Sequence, residues 1–179
     1  MLRRLFALLV VACAAGMGAG LVSSAQAEKG PVAARIPAIP VVEIVSKDRC
    51  PIPPQFRPAF ADAARETQLS LALLTAVARV ESEFQPGALS DAGALGLLQV
   101  MPTTAQELNL DADHPTENVL AGARYLRLQI DRFRSSDLAL AAYNAGPTAV
   151  DEAGGAPSDE TLTYVADVTA IWRSLAGCG

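Results

Sequence analysis

The chain has 179 residues, 51% hydrophobic and 18% charged, with 14 Lys+Arg against 19 Asp+Glu. That length suits one domain with short appendages, the apolar content excludes a disordered chain, and a net charge of −5 leaves no basic surface to neutralise phosphates. One histidine and three cysteines without a close pair supply too few ligands for a zinc site, and neither GxxxxGK[ST] nor GxGxxG occurs, so metal, nucleotide and dinucleotide chemistry fall away and no cofactor is expected.

The N-terminus has the three parts of a secretory signal: Arg3 and Arg4, an apolar run from Leu5 to Ala15, and Ala25-Gln26-Ala27 ahead of Glu28. The run is about 11 residues, short of the ~20 of a spanning helix. Residues 1–27 are read as a signal peptide and the chain as exported, periplasmic or otherwise extracytoplasmic; a lipoprotein acylated at Cys13 is the less favoured variant. Cleavage removes two arginines and no acid, leaving 12 basic and 19 acidic side chains, net −7. Cys50 and Cys178 then remain at the two ends of the expected domain, and in an oxidising compartment they are expected to pair. Residues 28–58 hold seven of the twelve prolines, a composition that favours extended chain. Residues 28–48 are read as a Pro-rich tether and 49–179 as the folded domain.

Within the domain the apolar spacing is mostly helical. Six helices are expected: Gln55 to Glu66; Leu71 to Ser82 with Ser70 as N-cap; Pro102 to Leu108; Glu117 to Arg134; Leu138 to Asn144, ending at Gly146; and Asp159 to Leu175 after Gly154-Gly155. Gly93 and Gly96 interrupt residues 88–100, for which a loop with a short hairpin fits better. The class is mainly α.

The segment Leu71 to Val80 is apolar nearly all round and should run through the core. It delivers Glu81 on the face of Leu74 and Val77, at i, i+3, i+7 spacing. Burial raises a carboxyl pKa, and a carboxylic acid still protonated near neutral pH can donate to a glycosidic oxygen. Spacing alone leaves a solvated or salt-bridged glutamate open. Glu83 points elsewhere and is read as surface.

The run Glu81-Ser82-Glu83-Phe84, continuing through Ser90, Gly93-Ala94-Leu95-Gly96-Leu97-Leu98-Gln99-Val100-Met101-Pro102, resembles the signature of the soluble lytic transglycosylase family. Three further blocks follow in that family's order: Glu117-Asn118 through Gly122 to Tyr125-Leu126, Ala142-Tyr143-Asn144-Ala145-Gly146, and Glu160-Thr161 with Tyr164-Val165. The resemblance implies a mainly α, lysozyme-like single domain of the goose-type lysozyme and lytic transglycosylase kind, with a loop or hairpin lining the cleft. It implies cleavage of the MurNAc-GlcNAc β-1,4 bond of peptidoglycan with 1,6-anhydro ends, and Glu81 as sole catalytic acid and base.

By the same resemblance Ser90, Gln99 and Met101 line the sugar side of the groove. A hydroxyl and an amide can bind sugar hydroxyls and N-acetyl groups, and a thioether offers an adaptable apolar contact. Loop capping for Ser90, loop satisfaction for Gln99 and core packing for Met101 are the structural alternatives. Tyr143 and Asn144 are expected to close onto the glutamate from across the cleft, with the Tyr143 hydroxyl orienting the carboxyl. Tyr164 and Glu160 are placed against the sugar beyond the cleavage point, with helix-dipole stabilisation as the alternative for Glu160. Asn118 is expected to organise the start of its helix.

Hydrolysing glycosidases usually need two carboxylates, whereas an intramolecular attack by the sugar's own C6 hydroxyl needs no second residue to activate water. Asp91 is the challenger for that second role and is read as a turn residue. A goose-type muramidase and a catalytically weak glycan-binding or assembly protein are the alternatives. Peptidoglycan glycan strands are the expected partner of a monomer, with a secretion-system, pilus or flagellar partner left open. At net −7 the mature chain gains little from attraction to an anionic wall, so groove contacts should supply the affinity.

Overall fold

The computed structural model describes residues 50–178. The expected signal peptide, the tether and Arg49 lie outside the described residues. Seven α-helices form: α1 (Arg57–Thr67), α2 (Leu71–Ser82), α3 (Pro102–Glu107), α4 (Pro115–Phe133), α5 (Ser136–Ala145), α6 (Pro147–Ala153) and α7 (Asp159–Ser174). Among the described residues the only β pairing is two isolated antiparallel bridges, Leu89 with Leu95 and Leu95 with Val100. They are the hairpin character expected of residues 88–100.

Each helix starts where a side chain or proline accounts for its first N–H groups. The Ser70 hydroxyl accepts from Leu73 N–H, Ser135 from Leu138 N–H and Ser158 from Thr161 N–H, satisfying donors that have no partner inside the helix. Helices α1, α3, α4 and α6 instead carry proline in the first two positions, where a missing N–H costs nothing. Helix α6 is the element that the sequence reading did not anticipate. Its seven residues are too few to show a period, and Pro147 directly after Gly146 reads as a break although it also suits a first turn.

Helix α2 is the axis of the domain: every residue from Ala72 to Ala78 is buried. It packs on α1 and α7, while α4 packs on α1 and α5, and α5 also meets α6 and α7. One core therefore runs from Phe60 through Leu74, Val77 and Leu98 to Leu126, Leu140 and Val168. A disulfide joins Cys50 to Cys178 with Cα atoms 4.9 Å apart, tying the start of the described chain to the turn after α7. Closing a separation of 128 residues removes unfolded-state entropy worth about 5 kcal/mol in the ideal-chain limit.

Candidate active site

Helix α2 stops one residue beyond Glu81. Glu83 and Phe84 both take left-handed backbone, φ 50° and 63°, a conformation uncommon for side chains of this size. Phe84 is nevertheless buried, its ring 5.8 Å from that of Phe60, so packing against α1 holds the sharp turn. The turn leaves the Glu81 carboxyl in the last turn of a buried helix, half-buried itself. Glu83 caps the helix and is exposed.

From α7, Tyr164 donates a 2.6 Å hydrogen bond from its hydroxyl to Glu81 Oε1. Burial pushes the Glu81 pKa up to about 7, the Tyr164 bond working in the opposite direction. The negative end of the α2 dipole adds to the same upward push. Tyr164 is itself buried, and burial first and the Glu81 charge second hold its phenol well above the usual range. It therefore stays a donor at any working pH.

Tyr143 does not perform the task expected of it. Its hydroxyl donates 2.7 Å to the Leu98 carbonyl, and Tyr164 is the phenol that reaches the carboxyl. Gly122 on α4 lets the Tyr143 hydroxyl and Leu98 approach so closely that a Cβ at 122 would lie 2.8 Å from the former. Tyr143 still feels Glu81, whose charge adds to burial in raising its pKa.

A cleft of about 250 Å³ opens beside Tyr143, lined among others by Gln99, Met101, Thr104, Tyr125 and Asn144. Met101 is 39% exposed although it immediately precedes α3. Gln99 lines the cleft and also serves the loop, its amide nitrogen donating to Gly96 O at 3.0 Å and Ala88 O at 3.2 Å. Asn144 is exposed, with its side-chain oxygen accepting from the Thr161 hydroxyl at 2.9 Å; this bond joins the end of α5 to the start of α7. Ser90 lies apart from the residues lining this cleft, and its hydroxyl accepts from Ala94 N–H at 3.0 Å, closing the turn that carries Asp91. Asp91 is exposed at that turn, and Glu160 is exposed in the first turn of α7.

Asn118 reaches beyond the start of α4. It is fully buried: Nδ2 donates to Ala112 O at 2.9 Å, just ahead of the helix, and to Leu95 O at 2.7 Å, and Oδ1 accepts from Leu98 N–H at 2.9 Å. Ser82, Thr161, Tyr125 and Gly122 are site-forming residues that the sequence reading did not single out. All four stand within the quoted blocks, and Gly122 carried a further signal of its own, because a glycine in a helix interior costs about 1 kcal/mol and calls for a packing reason.

Comparison with known proteins bears on this geometry. Residues 58–162, more than half of the chain, match the family described as Transglycosylase SLT domain. A transglycosylase of Enterobacteria phage PRD1 is 39% identical over 85 residues, covering 47% of this chain and 32% of that protein. Membrane-bound lytic murein transglycosylase F of Cellvibrio japonicus is 32% identical over 108 residues, 56% of this chain and 22% of that one. The chain thus spans about a third or less of the length of these relatives. The X-ray structure of an inactive glutamate-to-glutamine mutant of lytic transglycosylase Slt from Pseudomonas aeruginosa superposes with TM-score 0.60 at 29% identity, over 69% of this chain and 25% of that one. The lysozyme-like helical fold of these proteins is the fold described above. Over that match of residues 58–162 the chain belongs to the transglycosylase SLT domain family.

Proposed function

We propose that this protein is a peptidoglycan lytic transglycosylase in which Glu81 acts alone, first as acid and then as base. The observation that carries the reading is the Glu81–Tyr164 pair: a carboxyl in the last turn of a buried helix, with a pKa of about 7 and one phenolic donor at 2.6 Å. Such a group is protonated in a useful fraction of molecules at neutral pH and is equally able to take the proton back. The relatives' names and the loss of activity in the Pseudomonas glutamate mutant support the same substrate and the same residue type.

The sequence of events conserves every atom. Glu81 gives its proton to the glycosidic oxygen between MurNAc and GlcNAc as that bond breaks. The C6 hydroxyl of the same MurNAc ring bonds to C1, and its proton passes to the Glu81 carboxylate, which the Tyr164 hydroxyl steadies. No water is consumed, and the product is a 1,6-anhydro end. Asp91, Glu83 and Glu160 are exposed, and attack by the sugar's own C6 hydroxyl needs no second carboxylate. Gln99, Met101, Tyr143 and Asn144 form the sugar-binding wall, and Ser90 and Glu160 stand outside the residues that line it. The N-terminal signal and a disulfide of the kind that persists outside the reducing cytosol support an exported, extracytoplasmic site of action.

Digestion of purified peptidoglycan by the mature protein, read by mass spectrometry, tests the proposal. Products one water lighter than hydrolysis products are expected, and they should vanish with Glu81→Gln. Reducing ends would move the chain to the muramidases and return Asp91 to consideration as a second carboxylate.

A further inference from the structure

Residues 95–98 form a stretch in which each of four consecutive carbonyls is held by a side chain. Asn118 on α4 donates to Leu95 O at 2.7 Å, Gln99 to Gly96 O at 3.0 Å, Ser82 on α2 to Leu97 O at 2.8 Å and Tyr143 on α5 to Leu98 O at 2.7 Å. Three helices therefore grip one short segment. Asn118 alone grips it from both sides of the peptide, since its Oδ1 also accepts from Leu98 N–H at 2.9 Å. Gly96 lies against it so tightly, at φ +72°, that a Cβ would come within 2.7 Å of Asn118 Nδ2. One helical turn further along α4, Gly122 admits Leu98 to the helix surface, where a Cβ would meet it at 2.6 Å.

The segment so held runs straight into the cleft. Its next residue, Gln99, has φ +45°, a left-handed conformation that a long side chain keeps only when its surroundings enforce it. Gln99, Val100 and Met101 then line the cleft. We propose that Asn118 is a positioning residue for substrate: buried and away from the reacting atoms, it fixes the 95–98 segment and thereby the geometry of the wall from Gln99 to Met101. The proposal rests on the reading of this cleft as a glycan site. It assigns Asn118 to binding, and leaves the proton chemistry to Glu81 and Tyr164.

Replacing Asn118 by leucine keeps the branching of the side chain at a larger volume and removes all three bonds. Titration of chitotetraose, an N-acetylglucosamine tetramer, into the Glu81→Gln protein separates binding from turnover. With Asn118→Leu added, affinity should fall about tenfold or more; in the active protein KM should rise by a similar factor while the fall in rate near pH 7 keeps its position. A Cys50→Ser/Cys178→Ser variant, destabilised far from the wall, should retain its affinity. If Asn118→Leu does not fold, Ser82→Ala, which removes one bond to the segment, at Leu97 O, and a longer one within α2, at Ala78 O, should weaken binding in the same sense by a smaller factor. Unchanged affinity in the folded variant, or an equal loss in the cysteine variant at matched stability, would overturn the assignment. Failure of the Glu81→Gln protein itself to bind the tetramer would instead overturn the glycan reading, and the positioning role with it.

Discussion

Two regions joined by the Ser82–Leu97 hydrogen bond treat polar groups in opposite ways. In residues 95–98 every carbonyl has a side-chain donor, drawn from α2, α4, α5 and Gln99. Fourteen residues before Leu95, at the end of α2, Glu81 is half-buried with one phenolic hydrogen bond to show for it. Full satisfaction makes a wall with one geometry, because any displaced carbonyl would lose its partner in a low-dielectric setting. Partial satisfaction makes an acid, because burial without enough donors favours the protonated carboxyl. Rigidity and reactivity are thus set by how many hydrogen bonds each region is allowed.

The comparison is broken most sharply at the reactive end. Glu81→Gln keeps the shape and an acceptor for Tyr164 but cannot give a proton, and turnover of peptidoglycan should fall by about 10²–10⁴-fold; residual activity within tenfold of the parent would remove Glu81 from the mechanism. Next in size is a change that should touch neither region. Cys50→Ser with Cys178→Ser should lower unfolding free energy in denaturant by about 2–5 kcal/mol while KM for the same substrate stays within twofold.

The same Glu81→Gln variant should also show that the acid is held at a cost. The folded-state pKa lies above the ordinary carboxyl value, so the native protein binds an extra proton between about pH 4.5 and 7. Stability from this group is fully present below that window and is lost as pH rises through about 7. With a shift from 4.5 to about 7, the loss approaches about 3 kcal/mol at pH 8. Glu81→Gln should therefore be more stable than the parent at pH 8 by up to that amount, with the gap closing towards pH 4.5. An equal difference at both pH values would mean that packing, not the carboxyl charge, sets it.

Much of this was legible in the sequence, and the parts that were not share a cause. The apolar run 71–80, the Ser70 cap and the glutamate that follows fixed α2 and its exit because helical period and capping are local properties. The interruption at Gly93 and Gly96 marked residues 88–100 as irregular for the same reason. Which tyrosine reaches Glu81 is not local: Tyr143 and Tyr164 lie 21 residues apart on α5 and α7, and their hydroxyls find partners far back in the chain, Leu98 O and Glu81 Oε1. The reach of Asn118 is non-local likewise: Ala112 O lies just before α4, while Leu95 and Leu98 stand 23 and 20 residues back in the sequence. Short α6, opened by Pro147, lacked the length for a period to appear.

The protonation of Glu81 is the hinge of the whole account, and it can be read directly by ¹³C NMR titration of the glutamate side-chain carboxyls, with Glu81→Gln identifying the resonance. The parent should titrate near pH 7, and Tyr164→Phe should move the midpoint higher, because the lost phenol hydrogen bond is the contact that lowers it. A midpoint near the ordinary 4.5, unmoved by Tyr164→Phe, would contradict a buried acid held by that tyrosine.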